Sequence, residues 1–228
     1  MYHHVKKLMY TVSIGEPDQR FGKMLLEQFG GANGELAAAM QYSIQGLNCD
    51  DPGLKDLLMD IGTEELSHLE VIGTLARMHL KPTKFSREAA DADPLIAICG
   101  GGGVNLYNSV GNAWTADYLK ITGELDVDLR SNIAAEARAK IVYERLIDFC
   151  DDSGSKDALQ FLMTRENYAH EGVHDRTRYN GETAARCRAD RAQPQDCRSI
   201  LQHVDGNGRS RRARPTCSLE RRYLGRAY

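Results

Sequence analysis

The sequence predicts an all-α protein, a four-helix bundle with one long crossover connection. Three observations predict it. Apolar residues recur at three- and four-residue steps in four stretches: 20–48, 51–80, 126–149, and 155 to about 170. An irregular segment, 81–124, separates the second stretch from the third. Strand signals are few, and no internal repeat occurs.

In the first stretch Leu25, Leu26, Phe29, Leu36, Met40 and Ile44 keep helical spacing. Gly30, Gly31 and Gly34 each cost about 1 kcal/mol inside a helix. They are expected to mark a kink or a close helix–helix approach, not an end. The second stretch opens on Asp51 before Pro52, an N-cap followed by proline in the first turn. In the crossover, Leu95, Ile96, Ile98, Val104, Leu106, Tyr107 and Trp114 are expected to bury surface. The third helix runs over 126–149. "DDSGS" then forms a turn, with Ser153 or Ser155 as the cap of the fourth helix.

A chain of 228 residues with 42% apolar and 27% charged residues has the composition of a soluble globular protein. A net charge of −3 gives no sign of a nucleic-acid partner, and none is expected. No apolar run reaches the roughly 18–20 residues of a membrane span. The first residues lack the apolar region of a signal peptide. None of the six cysteines falls in a Cys-x-x-Cys pair, which predicts reduced thiols and a cytoplasmic location.

Two regions follow from composition: a bundle domain, 1–170, and a tail, 171–228. The tail holds thirteen Arg, no Lys and seven acidic residues, whereas the first 170 residues carry nine Lys, seven Arg and twenty-five acidic residues. One reading of the tail is a disordered basic segment for an anionic partner. The other is an out-of-frame product.

The chemistry is concentrated in the helices. "TEELSHLE" sets Glu65 and His68 one turn apart among leucines. A dinuclear carboxylate site in a bundle takes one Glu from each of two helices and Glu-x-x-His from each of the other two. Every helix offers a candidate: Glu35, the pair Glu65 and His68, Glu136, and Glu166 with His170. Each is ordinary alone. A lone Glu35 is usually a surface residue, Glu136 could pair with Lys140 four residues on, Glu64 reads as the solvated neighbour of Glu65, and a single buried histidine is usually a core residue. The signal is the set, together with the crossover in its right place. Gly100–Gly103 is not followed by Lys-Ser/Thr, so it is no phosphate loop, and neither Gly-x-Ser-x-Gly nor His-Glu-x-x-His is present.

At these residues the chain resembles the non-haem manganese catalases. The similar stretches are "FGGANGELAAAMQY", "KDLLMDIGTEELSHLE", "GNAWTADY", "DLRSNIAAEARAKIVYERL" and "KDALQFLMTRE", within residues 1–166. The resemblance implies a ferritin-like four-helix core, two manganese ions, hydrogen peroxide as substrate, and a homo-oligomer, typically a hexamer. It implies that Glu35 and His68 bind one manganese and that Glu65 bridges. Glu136 and a histidine of the fourth helix would bind the second, with Tyr42 and Glu166 supporting from outside the ligand set. Asp56 and Asp60 match the start of a calcium site found in some members. Some members carry an arginine just before the third-helix glutamate, where this chain has Ala135. Oxygen-rich ligation suits manganese. A di-iron oxidase or ferroxidase, or a non-catalytic ferritin-like stress protein, are the alternative readings on the same bundle.

The match breaks after Glu166. The family pattern places a histidine three residues on, where this chain has Ala169 and then His170. A one-base shift at this point restores Glu-x-x-His for a suitable choice of codons, and out-of-frame reading of GC-rich DNA yields an arginine-rich, lysine-free tail. A frameshift immediately after the Glu166 codon is therefore the second expectation for residues 167–228.

Overall fold

Each helix start carries its own signal. Asp18 accepts a hydrogen bond from the Phe21 N–H at 3.0 Å and opens α1 (Gln19–Gly30). Gly34 precedes α2 (Glu35–Leu47). Asp51 accepts from Leu54 N–H at 2.9 Å and, with proline in the first turn, opens α3 (Pro52–Leu80). A short α4 (Arg87–Ala92) lies in the crossover, capped by Ser86. After it come α5 (Leu125–Phe149) and α6, residues 153–166. These elements come from a computed structural model that describes residues 4–166. His170 and the tail lie outside the described residues. No regular strand occurs among the described residues, only an isolated Tyr107–Ala113 bridge.

Two expectations need correction. Residues 20–48 are not one kinked helix, because the chain leaves helical geometry at 31–34 and restarts at Glu35. The backbone folds back so tightly that a Cβ on Gly31 would meet Glu27 O at 2.2 Å, and one on Gly34 would meet Gln28 O at 2.5 Å. The glycines therefore do mark an end. The cap of α6 is Asp152, whose Oδ2 accepts from the backbone and hydroxyl of Ser155, each at 2.7 Å. Ser155 itself is buried inside the first turn.

The bundle is read most directly along α3. Leu58, Ile61, Glu65, His68, Ile72 and Leu75 are all buried at alternating three- and four-residue steps, one continuous inward stripe. Leu129, Asn132, Glu136, Tyr143 and Leu146 form the matching stripe of α5. Both stripes are apolar at their ends and polar in the middle. One apolar core joins Phe21, Leu25, Ile72, Leu75, Leu146 and Leu159. A smaller one joins Tyr42, Leu58, Ile61 and Leu129. The acidic residues lie between the two.

The later half of the crossover is pinned at two points. Ser109 donates to Glu27 Oε2 at 2.6 Å through its hydroxyl. The Lys120 N–H donates to Gln41 Oε1 at 2.7 Å, and Gln45 Nε2 donates to Lys120 O at 2.9 Å. Asn132 closes this network by accepting from Gln41 and donating to Gln45. Of the apolar crossover residues, Ile96 is buried, but Ile98, Leu95 and Leu106 are exposed. Their helical or loop register turns them away from the bundle.

Candidate metal centre

Four elements deliver the cluster. Glu35 is the first residue of α2, placed by the break at 31–34. Glu65 and His68 face inward from the middle of α3, Glu136 from the middle of α5, and Glu166 from the last described turn of α6. Each is at most 2% exposed. One ligand atom each from Glu35, Glu65, His68 and Glu166 lie within 4.8 Å of one another. His68 Nδ1 is 3.1 Å from Glu65, 3.5 Å from Glu166 and 3.6 Å from Glu35. Glu136, whose pKa burial raises, faces Glu166 closely enough that the charge of Glu166 raises it further. Glu166, expected to support from outside the ligand set, has a carboxylate oxygen among the four clustered atoms.

Two tyrosines orient the carboxylates. Tyr42 O–H donates to Glu136 Oε1, and Tyr143 O–H donates to Glu35 Oε1. Both phenols are held well above their ordinary pKa by burial and by the neighbouring carboxylates, so they act as donors. Tyr143 was not singled out by sequence. Its signal is its place seven residues after Glu136, on the same face of α5. Glu64 was expected to be simply solvated. Instead Arg165 Nε donates to its Oε1 at 2.6 Å, and that oxygen lies 3.5 Å from His68 Nε2. A carboxylate behind the outward nitrogen of an imidazole holds its inward nitrogen toward the site.

The electrostatics call for positive charge. Burial and the charge of Glu35 push Glu65 well above the carboxylate range. Burial and Glu166 do the same to Glu136. Burial with Glu65 and Glu35 raises Glu166 to about 8. Burial opposes ionisation of Glu35 too, but His68 prevails and holds its pKa low. Burial likewise opposes protonation of His68, yet Glu166, Glu35, Glu64 and Glu65 together raise its pKa. Glu64 is lowered to about 2 by His68 and Arg165 against partial burial. Within the cluster four buried atoms have no hydrogen-bond partner: Glu65 Oε1, His68 Nε2, Glu136 Oε2 and Glu166 Oε1. Unpartnered acceptors on converging buried carboxylates fit hard divalent cations. Four carboxylates also match the charge of two such ions.

Asp56 and Asp60 are exposed one turn apart on α3, away from the cluster. Lys140 pairs with Glu144 at 3.8 Å, leaving Glu136 to the interior.

The fold and this cluster define a helical-bundle protein with a carboxylate-rich metal centre. The family described as manganese containing catalase matches residues 1–176, and the chain belongs to it. A probable manganese catalase of Clostridium acetobutylicum is 39% identical over 176 residues, covering 76% of this chain and 77% of that protein. A manganese catalase of Bacillus subtilis is 37% identical over 179 residues, covering 73% and 66%. Among solved structures, KatB, a manganese catalase from Anabaena, superposes with a TM-score of 0.75 at 43% identity, covering 79% of this chain and 81% of that one.

Proposed function

We propose that this chain disproportionates hydrogen peroxide to water and dioxygen at a dinuclear manganese centre. The observation that carries the reading is the buried convergence of Glu35, Glu65, His68 and Glu166 within 4.8 Å, in a chain of the manganese catalase family. Glu35, Glu65, His68, Glu136 and Glu166 would hold the metal. When bound, two manganese ions supply a two-electron store, each changing by one electron. The protein does the rest by orientation. Tyr42 and Tyr143 each occupy one oxygen of Glu136 and Glu35 and leave the other free. Glu64, fixed by Arg165, sits behind His68. The apolar cores on both sides exclude bulk water.

The histidine expected on the fourth helix, His170, falls outside the described residues. Sequencing the gene across the Glu166 codon tests whether an in-frame histidine belongs at position 169. Asp56 and Asp60, exposed on one face of α3, are the proposed start of a calcium site. The exposed Phe85, Ile98, Val110 and Phe149 support a homo-oligomer, a hexamer in this reading. Unpaired Cys49, Cys99 and Cys150 support action in the reducing cytoplasm against oxidative stress. No helix among the described residues is long and apolar enough to cross a membrane.

The test is metal content by mass spectrometry on protein expressed in manganese-supplemented medium, with oxygen evolution from peroxide on the same sample. About two manganese per chain is expected from the ligand count, with oxygen evolved. Protein that folds, takes up manganese and evolves no oxygen would overturn the reading.

A further inference from the structure

A cavity of about 530 Å³ lies between the start of α1 and the crossover, a size typical of small-molecule sites. Its floor is apolar: Leu80 from the end of α3, Ala89 and Ala92 from α4, and Ile96. Leu80 stands about 18 Å along α3 from His68, so the cavity is separate from the metal centre. Four charged side chains also line it: Asp18, Arg20, Lys23 and Asp93. Three are already committed. Lys23 Nζ pairs with Asp93 Oδ2 at 2.6 Å, and Asp93 Oδ1 accepts from the Ile96 N–H at 3.2 Å. Asp18 Oδ1 caps α1 by accepting from the Phe21 N–H at 3.0 Å. Arg20 is left over: its side chain makes no ion pair or hydrogen bond among the described residues. It stands in the first turn of α1, which holds no acidic residue and whose partial positive charge adds to its own. One polar group of the wall is also unsatisfied. Thr83, in the turn Lys81–Lys84, is 5% exposed and lines the cavity, and its hydroxyl has no hydrogen-bond partner among the described residues. A hydroxyl so placed can bond only to water or to a guest in the cavity.

We propose that this cavity binds a small monocarboxylate with an apolar body. The carboxylate pairs with Arg20 at the start of α1. The body lies on Leu80, Ala89, Ala92 and Ile96, and a hydroxyl on the body meets Thr83. Charge decides the class. Lys23 and Asp93 neutralise each other, so a guest cation would face the free Arg20 and the positive end of α1. A dianion would bring a second charge with no free cation to meet it. A wholly apolar guest would leave Thr83 unpaired. The site does not depend on the peroxide reading or on bound metal.

The experiment uses the full chain and three probes: 4-hydroxyphenylacetate, its neutral amide 4-hydroxyphenylacetamide, and phenylacetate, which lacks the hydroxyl. Binding is followed by ligand-observed NMR titration. 4-Hydroxyphenylacetate is expected to saturate, and the amide to bind at least about tenfold more weakly, the scale of a charge-assisted contact. Arg20→Gln should weaken the acid by a similar factor, at an exposed position where the fold is not at stake. Thr83→Val should weaken 4-hydroxyphenylacetate about threefold or more and leave phenylacetate unchanged. Ala92→Phe, which fills the cavity from another exposed position, should remove both. Saturation that survives Ala92→Phe overturns the site. Equal affinity for acid and amide, or for wild type and Arg20→Gln, overturns the carboxylate. An equal effect of Thr83→Val on both acids overturns the hydroxyl contact. Folded wild type that shows no saturable binding at millimolar concentrations overturns the whole proposal.

Discussion

Glu166 illustrates what the cluster does to single residues. Buried beside Glu65 and Glu35, it titrates near 8, and Glu65 and Glu136 are also raised. In metal-free protein these groups hold protons at neutral pH, and a cation must displace them. Manganese loading is therefore expected to release protons at neutral pH, and affinity should rise with pH through about 8. Calorimetry in two buffers of different ionisation enthalpy measures the release. Identical apparent enthalpies would contradict it. Tyr143→Phe removes the donor to Glu35 while keeping the ring in the core. Manganese affinity should drop about 10–100-fold, with the helical circular dichroism retained. Glu64→Gln should lower it in the same direction by withdrawing the charge behind His68.

Helix packing makes two further outcomes measurable. Gly62 lets α3 lie directly on α2: a Cβ there would stand 2.6 Å from Ser43 Oγ, 3.1 Å from Ser43 N and 3.3 Å from Ala39 O. The backbone atoms cannot rotate away, so Gly62→Ala should cost about 1–3 kcal/mol and lower Tm by about 2–4 °C per kcal/mol. A melting temperature equal to wild type would mean that the helices can separate freely. At the other end of α3, His79 Nδ1 accepts from the Asp18 N–H and Nε2 donates to Ser155 Oγ, both at 2.9 Å. Burial depresses its pKa below 6.5 despite Asp152 and Asp18. The unfolded chain thus binds this proton more readily, so the neutral imidazole contributes stability fully above about pH 6.5 and loses it as pH falls below. The stability advantage of wild type over His79→Asn should shrink between about pH 7.5 and 5. An advantage independent of pH would assign the effect to packing alone.

At the scale of the molecule, Ile98, Val110, Phe85 and Phe149 are exposed, and the proposed hexamer would cover apolar surface of this kind. Light scattering is expected to give about 150 kDa for six chains of 25.4 kDa, and Ile98→Glu should reduce that mass. A monomeric wild-type protein would remove the oligomer from the account. The sequence made much of this architecture legible. The α3 boundaries follow from Asp51-Pro52, the crossover from its broken periodicity, and the cluster from one acidic residue per helix. It hid the break at 31–34, because three glycines in a row of helix formers fit a kink as well as an end. It also hid the outward turn of Ile98, because the single π-helical turn Ile96–Gly100 is too short for a period to reveal its face.

Residue type and helical spacing determined by themselves that this chain forms a helical bundle, and that Glu35, Glu65, His68, Glu136 and Glu166 are the groups to watch. These are local properties: an inward stripe with period 3.6 is written along one helix at a time. Only the tertiary structure decided that Glu166 lies against Glu35, Glu65 and His68, that Tyr143 and Tyr42 hold opposite carboxylates, and that Glu64 is fixed by Arg165 behind His68. It also decided that a cavity of about 530 Å³ lies between α1 and α4. Those facts depend on the distance and rotation between helices far apart in the chain. Such quantities are set by how the two apolar cores pack, and no single stretch of sequence encodes them.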